Sequence, residues 1–215
     1  MSTPAHRARL VLALRSAGIT DTSALSAIES VPRELFVPDT FQDRAYEDTA
    51  LPIGYGQTLS QPLVVATMIQ GLELGGREKL LEVGTGSGYH AAILSHLCRR
   101  VYTIERHRPL LADAEQRFQT LLLNKVVTRA GDGMKGWPEQ APFDRISVTA
   151  AGDAPPPQLL EQLKVGGIMI MPVGGQNRVQ QLVRFRRTQT AVESEVMMDV
   201  RFVPLLPGVA EAAEA

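Results

Sequence analysis

Short apolar runs recur through the second half of the chain, separated by polar segments with helical spacing. Five such runs lie at positions 79–83, 100–104, 125–128, 143–148 and 167–171. Runs of four to eight mostly apolar residues bounded by turn or charged residues are typical of buried strands. We therefore predict five strands at the centre of a sheet.

The segments between these runs indicate helices. Residues 109–122 begin with a proline suited to a first helical turn, and residues 157–164 form a shorter helical pattern that Gly166 and Gly167 can end. Strands alternating with helices predict an α/β protein with a parallel sheet, right-handed crossovers and helices on both faces. The longer helix shows its apolar face at Leu110, Leu111, Ala114, Phe118, Leu121 and Leu122.

The pattern changes after residue 178. Residues 180–187 and 193–203 form two longer runs separated by the polar segment 188–191, which is typical of a β-hairpin. We predict an antiparallel edge on the otherwise parallel sheet.

Three regions follow from this organisation. Residues 1–75 are predicted to be short helices interrupted by prolines, residues 76–207 form the core, and residues 208–215, mainly alanine and glutamate, form a frayed tail. A chain of 215 residues has room for one compact domain with an added subdomain. We therefore expect an N-terminal helical extension on a doubly wound sheet.

Composition and charge exclude several classes of protein. With 44% hydrophobic and 21% charged residues the chain is globular, and a net charge of −1 argues against a general nucleic-acid binder. The one cysteine, Cys98, cannot form an internal disulfide, and no apolar segment approaches the ~20 residues that span a bilayer. We expect a cytoplasmic protein without a nucleic-acid or membrane partner. The oligomeric state leaves no mark in the sequence.

A glycine-rich loop follows the first predicted strand. In an open parallel sheet, ligands bind beyond the carboxyl ends of the strands, and glycines let the backbone approach a ligand closely. A tight turn also needs glycine for packing, so the motif alone is weakly specific. We predict that the loop binds a cofactor through Gly84, Thr85, Gly86, Ser87 and Gly88.

Acidic residues near the ends of three consecutive strands strengthen this interpretation. Glu105 ends the second strand, where a carboxylate accepts hydrogen bonds from both hydroxyls of a ribose. Asp132, followed by Gly133, is expected to reach an adenine amino group, and Glu82 precedes the glycine loop. The alternative for each acid is a solvated carboxylate. Together they indicate a nucleoside ligand.

The loop does not match a phosphate-binding fingerprint. It reads Gly-x-Gly-x-Gly rather than Gly-x-Gly-x-x-Gly, and the chain has no Gly-x-x-x-x-Gly-Lys-Ser/Thr segment. An adenosine without phosphate fits better, and S-adenosylmethionine is the common cofactor of that kind. A nicotinamide-dependent oxidoreductase and a non-catalytic cofactor-binding module remain the alternatives. No metal site is expected, because the four histidines lack ligand spacing.

Several segments resemble known families. LEVGTGSGY (81–89) resembles the first motif of Rossmann-like class I methyltransferases. The chain from about residue 24 to 206 is similar to the protein-L-isoaspartate O-methyltransferase family, and the part from Gly56 to Pro62 is its most specific motif. The similar segments are VPRELFVP (31–38), AYED (45–48), PIGYGQTLSQP (52–62), APFDRI (141–146), LLEQLKVGG (159–167) and RFVPL (201–205).

The resemblance implies a protein-repair enzyme. Members methylate the free α-carboxylate of L-isoaspartyl, and in some cases D-aspartyl, residues in damaged proteins, using S-adenosylmethionine. The family's active-site serine corresponds to Ser60, with Thr58 and Leu59 also contacting the substrate. Leu59 stands where isoleucine is frequent, and His90 where glutamine is frequent.

Ser60 has two possible roles. Its hydroxyl is expected to donate a hydrogen bond to the acceptor carboxylate or the adjoining backbone. It also comes just before Gln61 and Pro62, at the start of a predicted helix, where a serine commonly caps a first-turn amide. The sequence leaves both roles open.

Overall fold

A seven-stranded sheet forms the centre of the protein. The computed structural model describes residues 4–175 and 178–210. The helices are α1 (Pro4–Ser16), α2 (Thr22–Ser30), α3 (Pro62–Gly71), α4 (Tyr89–Leu97), α5 (Arg108–Thr120) and α6 (Pro157–Gln162). The strands are β1 (Leu51–Gly54), β2 (Gln57–Leu59), β3 (Lys79–Val83), β4 (Arg100–Glu105), β5 (Val126–Ala130), β6 (Phe143–Val148), β7 (Leu163–Val173), β8 (Gln180–Arg187) and β9 (Val192–Val200).

The order of the strands confirms the predicted α/β class. The sheet runs β5-β4-β3-β6-β7-β8-β9, and β5 to β7 are parallel, whereas β8 and β9 are antiparallel. The chain builds outward from β3 to β5 and then returns to the other side of β3. This reversal lies between β3 and β6, where a crevice opens beyond the carboxyl ends of the strands.

Alternate residues of the central strands pack into two separate apolar cores, one on each face of the sheet. Leu80 of β3 belongs to the core that α1 to α5 cover, whereas Leu81 faces the core that contains Leu159 of α6. Successive side chains of a strand point to opposite faces, so both faces of β3 are buried. The predicted arrangement of helices on both faces of the sheet is therefore present.

The fifth predicted strand begins earlier than its apolar run. The preceding helix ends at Gln162, and β7 starts at Leu163. Gly166 and Gly167, which were expected to end the helix, lie within β7 instead, where the pairing with β6 shifts register between Phe143 and Arg145. Gly166 has a φ of 81°, so it absorbs the irregularity in the strand.

The N-terminal region contains more than the predicted helices. After α1 and α2 come two 3-10 turns, Arg33–Phe36 and Asp39–Arg44, and then a hairpin of β1 and β2. Side chains of this region share one apolar core with the central sheet. The division at residue 75 remains a prediction.

The C-terminal segment crosses back toward the ends of the strands. The main-chain N–H of Ala210 donates to the carbonyl of Arg106 at 3.0 Å, so the start of the predicted tail is tied to the core. Residues 211–215 of that tail lie outside the described residues. Among the described helices, none combines the length and the apolar character that crossing a membrane requires.

Candidate active site

A cleft opens beyond the carboxyl ends of β3, β4 and β6. It holds about 810 Å3 of space, including open solvent at its mouth. Its lining includes the glycine loop after β3, Glu105, Thr149 and the segment from Gln57 to Ser60. Residues 203–206 also line it. The cleft therefore brings the predicted cofactor loop and the predicted serine segment together.

The sequence-predicted site residues divide into two groups. Those that line the cleft are Thr58, Leu59, Ser60, Gly84, Thr85, Gly86, Ser87, Glu105 and Gly133. Glu82, Gly88 and Asp132 are not in the lining that the described residues form. The N–H of Gly88 donates to the carbonyl of Thr85 in the lining at 2.8 Å, whereas Glu82 and Asp132 directly precede the lining residues Val83 and Gly133 in the chain.

The glycine loop turns sharply between β3 and α4. Gly84, Gly86 and Gly88 all have positive φ, and Gly88 is the N-cap of α4 with a φ of 92°. A Cβ on Gly88 would lie 2.7 Å from Cε1 of Phe118, so both its backbone conformation and its surroundings require glycine. The absence of a side chain at Gly88 therefore allows the loop to pack closely against α5.

Glu105 holds the loop in place. Its Oε2 accepts a hydrogen bond of 2.8 Å from the Gly86 N–H, and its Oε1 accepts one of 2.9 Å from the His107 N–H. Each carboxylate oxygen keeps a second lone pair, so Glu105 can still accept hydrogen bonds from two vicinal hydroxyls. The carboxylate is only 5% exposed and lines the cleft, as a ribose acceptor should.

Glu82 lies inside the sheet, one residue before the strand ends. Its Oε2 accepts a hydrogen bond of 2.5 Å from the Thr103 hydroxyl, which lies 2.6 Å from the hydroxyl of Thr85 in the cleft wall. Its Oε1 is buried and has no partner among the described residues. Burial raises the pKa of Glu82 to about 8, with a smaller contribution from the charge of Glu105. The side chain is therefore largely protonated at neutral pH and reaches the cleft only through the two threonines.

Asp132 caps the short 3-10 turn Gly133–Lys135. Its Oδ1 accepts a hydrogen bond of 3.0 Å from the Met134 N–H, and its side chain is 12% exposed. Gly133 itself lines the cleft, and a Cβ at this position would overlap the side chain of Val83. The turn after β5 therefore presents backbone at the site.

Ser60 does not cap the helix that follows it. The Leu63 N–H at the start of α3 donates instead to Oδ1 of Asp48, at 2.9 Å, and the Ser60 hydroxyl makes no hydrogen bond within the described residues. The main-chain carbonyl of Ser60 accepts a hydrogen bond of 2.7 Å from Nη2 of Arg33. The hydroxyl is thus left open to the cleft while its backbone is held from behind.

A second cleft adjoins the first. It shares Thr58 and Ser60 with the first cleft, and its far side is formed by Asp199, Arg201 and neighbouring residues. Its volume is about 950 Å3, open solvent included. The segment from Thr58 to Ser60 is therefore a partition between two open spaces.

Arg33, Asp48 and His90 are among the residues of the site that received no role from the sequence. Arg33 and Asp48 lie in segments that carried the family resemblance, and this was the available signal for them. His90, in the first turn of α4, also lines the first cleft, and burial lowers its pKa to about 4. Its imidazole is consequently neutral at physiological pH.

Comparison with known proteins places the whole chain in one family. Residues 5–210 match the family model described as protein-L-isoaspartate(D-aspartate) O-methyltransferase. A protein-L-isoaspartate O-methyltransferase of Rhodospirillum centenum is 60% identical over 214 residues, covering 99% of this chain and 97% of the relative. A protein-L-isoaspartate O-methyltransferase of Rhodospirillum rubrum is 56% identical over 210 residues, which cover 97% of this chain and 96% of the relative.

Solved structures agree with this placement. A structure described as a protein-L-isoaspartate O-methyltransferase superposes with a TM-score of 0.85 at 29% identity, covering 92% of this chain and 65% of that one. A Plasmodium falciparum protein, described as a putative member in complex with S-adenosyl-L-homocysteine, shares the fold at a TM-score of 0.78 and 23% identity, covering 94% and 98%. From its sequence and its fold together, the chain belongs to the protein-L-isoaspartate(D-aspartate) O-methyltransferase family.

Proposed function

We propose that this chain moves a methyl group from S-adenosylmethionine to the free α-carboxylate of an L-isoaspartyl residue in a damaged polypeptide, and that Ser60 orients the acceptor. D-aspartyl residues, which the family description also names, are a second acceptor class. The observation that carries the proposal is the Ser60 hydroxyl, which has no partner among the described residues and borders both clefts. A donor of hydrogen bonds in that position suits an anionic acceptor.

The first cleft fits the adenosine part of the cofactor. Glu105 would accept from the ribose hydroxyls, while the backbone of Gly84 to Ser87 and of Gly133 would lie against the nucleoside. Loop glycines allow this close approach. When bound, S-adenosylmethionine supplies a methyl group on a sulfonium, and transfer of that group to a carboxylate neutralises both charges.

Methyl transfer to a carboxylate needs little acid or base catalysis from the protein. An α-carboxylate has a usual pKa near ~3.5 and is already ionised at neutral pH. The chain has to align the acceptor oxygen and keep water away, which are contributions of orientation and desolvation. Ser60 donates one hydrogen bond to the acceptor, and Leu59, 5% exposed, keeps the partition apolar. Neutral His90 adds no positive charge that would repel a sulfonium.

The second cleft accommodates the polypeptide on either side of the damaged residue. It is continuous with Thr58 and Ser60, so an extended chain seated there can direct one carboxylate past the partition. Asp199 and Arg201, on its far side, are exposed and carry opposite charges. The proposed substrates are isoaspartyl-containing proteins and peptides.

A matched pair of peptides tests the proposal. An isoaspartyl peptide should take up label from methyl-labelled cofactor, and its aspartyl twin should not. S60A should lower turnover roughly tenfold or more, whereas S30A, which removes a hydroxyl that donates to the Ser26 carbonyl, should not. Equal labelling of both peptides would contradict the substrate assignment, and full turnover by S60A would contradict the role of Ser60. Binding of NAD without binding of S-adenosylhomocysteine would instead favour an oxidoreductase.

We also infer that the protein works in the cytoplasm. Cys98 is buried, and burial raises the pKa of its thiol to about 12, which suits an unpaired cysteine kept as a small apolar residue. Fractionation of cells that express a tagged copy tests this inference, and recovery of the protein outside the cytoplasmic fraction would overturn it.

A further inference from the structure

Arg33 is a fully buried cation directly behind the serine segment. Its side chain is 0% exposed, and its guanidinium stands 4.8 Å from the centre of the Tyr89 ring. Nε donates to the Ala45 carbonyl at 2.8 Å, and Nη2 donates to the Ser60 carbonyl at 2.7 Å. One side chain therefore ties together the two ends of the segment that carries the β1–β2 hairpin.

This guanidinium lacks a carboxylate partner among the described residues. Its Nη1 is buried without a hydrogen bond to the described residues, Nε and Nη2 donate to neutral carbonyls, and the neighbouring Tyr89 contributes most among the groups that favour the charged form. The charge of Asp48 favours the charged form of Arg33, but Asp48 makes its hydrogen bonds to Leu63 N–H and Gln61 Nε2 and not to the guanidinium. A buried cation without a counter-ion is costly, and burial lowers the pKa of Arg33, although an arginine remains charged at neutral pH.

We propose that Arg33 is a positioning residue whose buried charge is compensated by the carboxylate of the isoaspartyl substrate, so that it selects an anionic acceptor at Ser60. The inference rests on the function proposed above. The favourable charge is fixed behind the site and needs no rearrangement when the acceptor arrives. In a poorly solvated site, a unit charge acting over as much as about 10 Å is enough for roughly tenfold selectivity.

A neutral analogue of the substrate isolates this effect. The probes are an isoaspartyl peptide and the same peptide with its α-carboxylate converted to a carboxamide, each titrated into enzyme loaded with S-adenosylhomocysteine. The wild type should bind the acid more tightly than the amide. R33M should lose most of that preference, roughly tenfold, mainly by weaker binding of the acid. R33K should keep much of it but lose turnover, because an ammonium does not span both carbonyls as a guanidinium does.

Arg145 provides a matched control. It also donates to main-chain carbonyls, those of Leu72, Glu73 and Asp144, but it lies outside both cleft linings. R145M should lower the melting temperature and leave the preference for the acid unchanged. If R33M weakens binding of the acid peptide and of the amide peptide equally, Arg33 has only a structural role, and the proposal is wrong.

A measurement on the wild type covers the case in which R33M does not fold. Salt screens exposed charges strongly and buried charges weakly. The preference for the acid should therefore persist between 0.05 and roughly 0.5 M salt. A preference that disappears with salt, or that R201Q abolishes, would assign it to surface charge and overturn the inference. Absence of methyl transfer to the isoaspartyl peptide by the wild type would instead refute the proposed function.

Discussion

Asp48 caps a helix that begins well beyond it in the chain: its Oδ1 accepts a hydrogen bond of 2.9 Å from the main-chain N–H of Leu63. Its Oδ2 accepts another, of 2.8 Å, from Nε2 of Gln61. The first turn of α3 is thus satisfied by a residue outside the helix. This frees the hydroxyl of Ser60, the residue that a local reading would make the cap.

Replacement of Asp48 should therefore affect both stability and turnover. D48A removes a helix cap, which typically costs about 1 kcal/mol, and it loosens the backbone that carries Ser60. We expect a lower urea midpoint and a reduced kcat on an isoaspartyl peptide. D48N should be milder, because its amide oxygen can still accept from Leu63.

Asp39 supplies the control for this prediction. Its Oδ1 accepts from Nε2 of Gln42 on an exposed 3-10 turn, away from both cleft linings. D39A should leave kcat unchanged. If D48A lowers stability without lowering kcat, the cap does not position Ser60.

Affinity for the cofactor should depend on the charge of Glu105. In E105Q the amide oxygen can accept from only one of the Gly86 and His107 N–H groups, and the amide nitrogen then faces the other. Calorimetric titration with S-adenosylhomocysteine should show a dissociation constant at least roughly tenfold higher, since hydrogen bonds to ionised groups are the strong ones.

The matched variant for this titration is E115Q. Glu115 accepts from the Thr128 hydroxyl and lies outside the first cleft, so the same change of charge should leave cofactor affinity intact. Equal dissociation constants for E105Q and the wild type would show that the loop holds its shape, and binds the nucleoside, without this carboxylate.

Strand alternation explains which acids could be located from the sequence. The apolar runs predicted β3 and β4 closely, and Glu105, the last residue of β4, lines the cleft as expected. Glu82 comes one residue before the end of β3, and alternation turns it toward Thr103, while Val83 lines the cleft. The sequence showed acids near strand ends but not the residue at which each strand stops.

The parts of the site that local sequence patterns did not predict depend on long-range contacts. The hairpin of β1 and β2 has strands of four and three residues, too short to show alternation, and its register is irregular between Pro52 and Gly54. The bond from Arg33 to Ser60 crosses 27 positions of sequence. Local patterns carry no information about such contacts, and only the family resemblance drew attention to these segments.

Glu82 should make stability depend on pH in an unusual direction. Its pKa in the folded protein is about 8, whereas its ordinary value is 4.5. Between these values the folded state keeps a proton that the unfolded chain has lost, so the free energy of unfolding contributed by Glu82 falls as pH rises. The expected slope approaches about 1.4 kcal/mol per pH unit.

Comparison with E82Q isolates this contribution. Glutamine keeps the shape and does not titrate, so E82Q should gain stability relative to the wild type as pH rises from about 5 to 8, measured by urea unfolding. His90, with its pKa lowered to about 4, has the opposite dependence at acidic pH but is common to both proteins. Parallel stability curves for the two proteins would show that Glu82 is ionised in the folded state.

Gly88 is a position of the loop that does not tolerate a side chain. Its φ of 92° strains any other residue, and a Cβ would lie 2.7 Å from Cε1 of Phe118 and 3.2 Å from Cβ of Ala114. G88A combines backbone strain with a steric clash, and we expect a loss of roughly 2–4 kcal/mol in the free energy of unfolding. Cofactor affinity should fall with it, because relief of the clash moves the loop.

Gly18 separates the two effects. It has a φ of 100°, but a Cβ there would meet nothing within 4 Å, so G18A should cost only the backbone strain, about 1 kcal/mol. Trimming the ring in G88A/F118L should recover part of the clash, so that the double variant loses less than the sum of the two single losses. Equal losses of unfolding free energy for G88A and G18A would show that the loop and α5 move apart without a loss of stability. Only the positive φ would then require glycine at position 88.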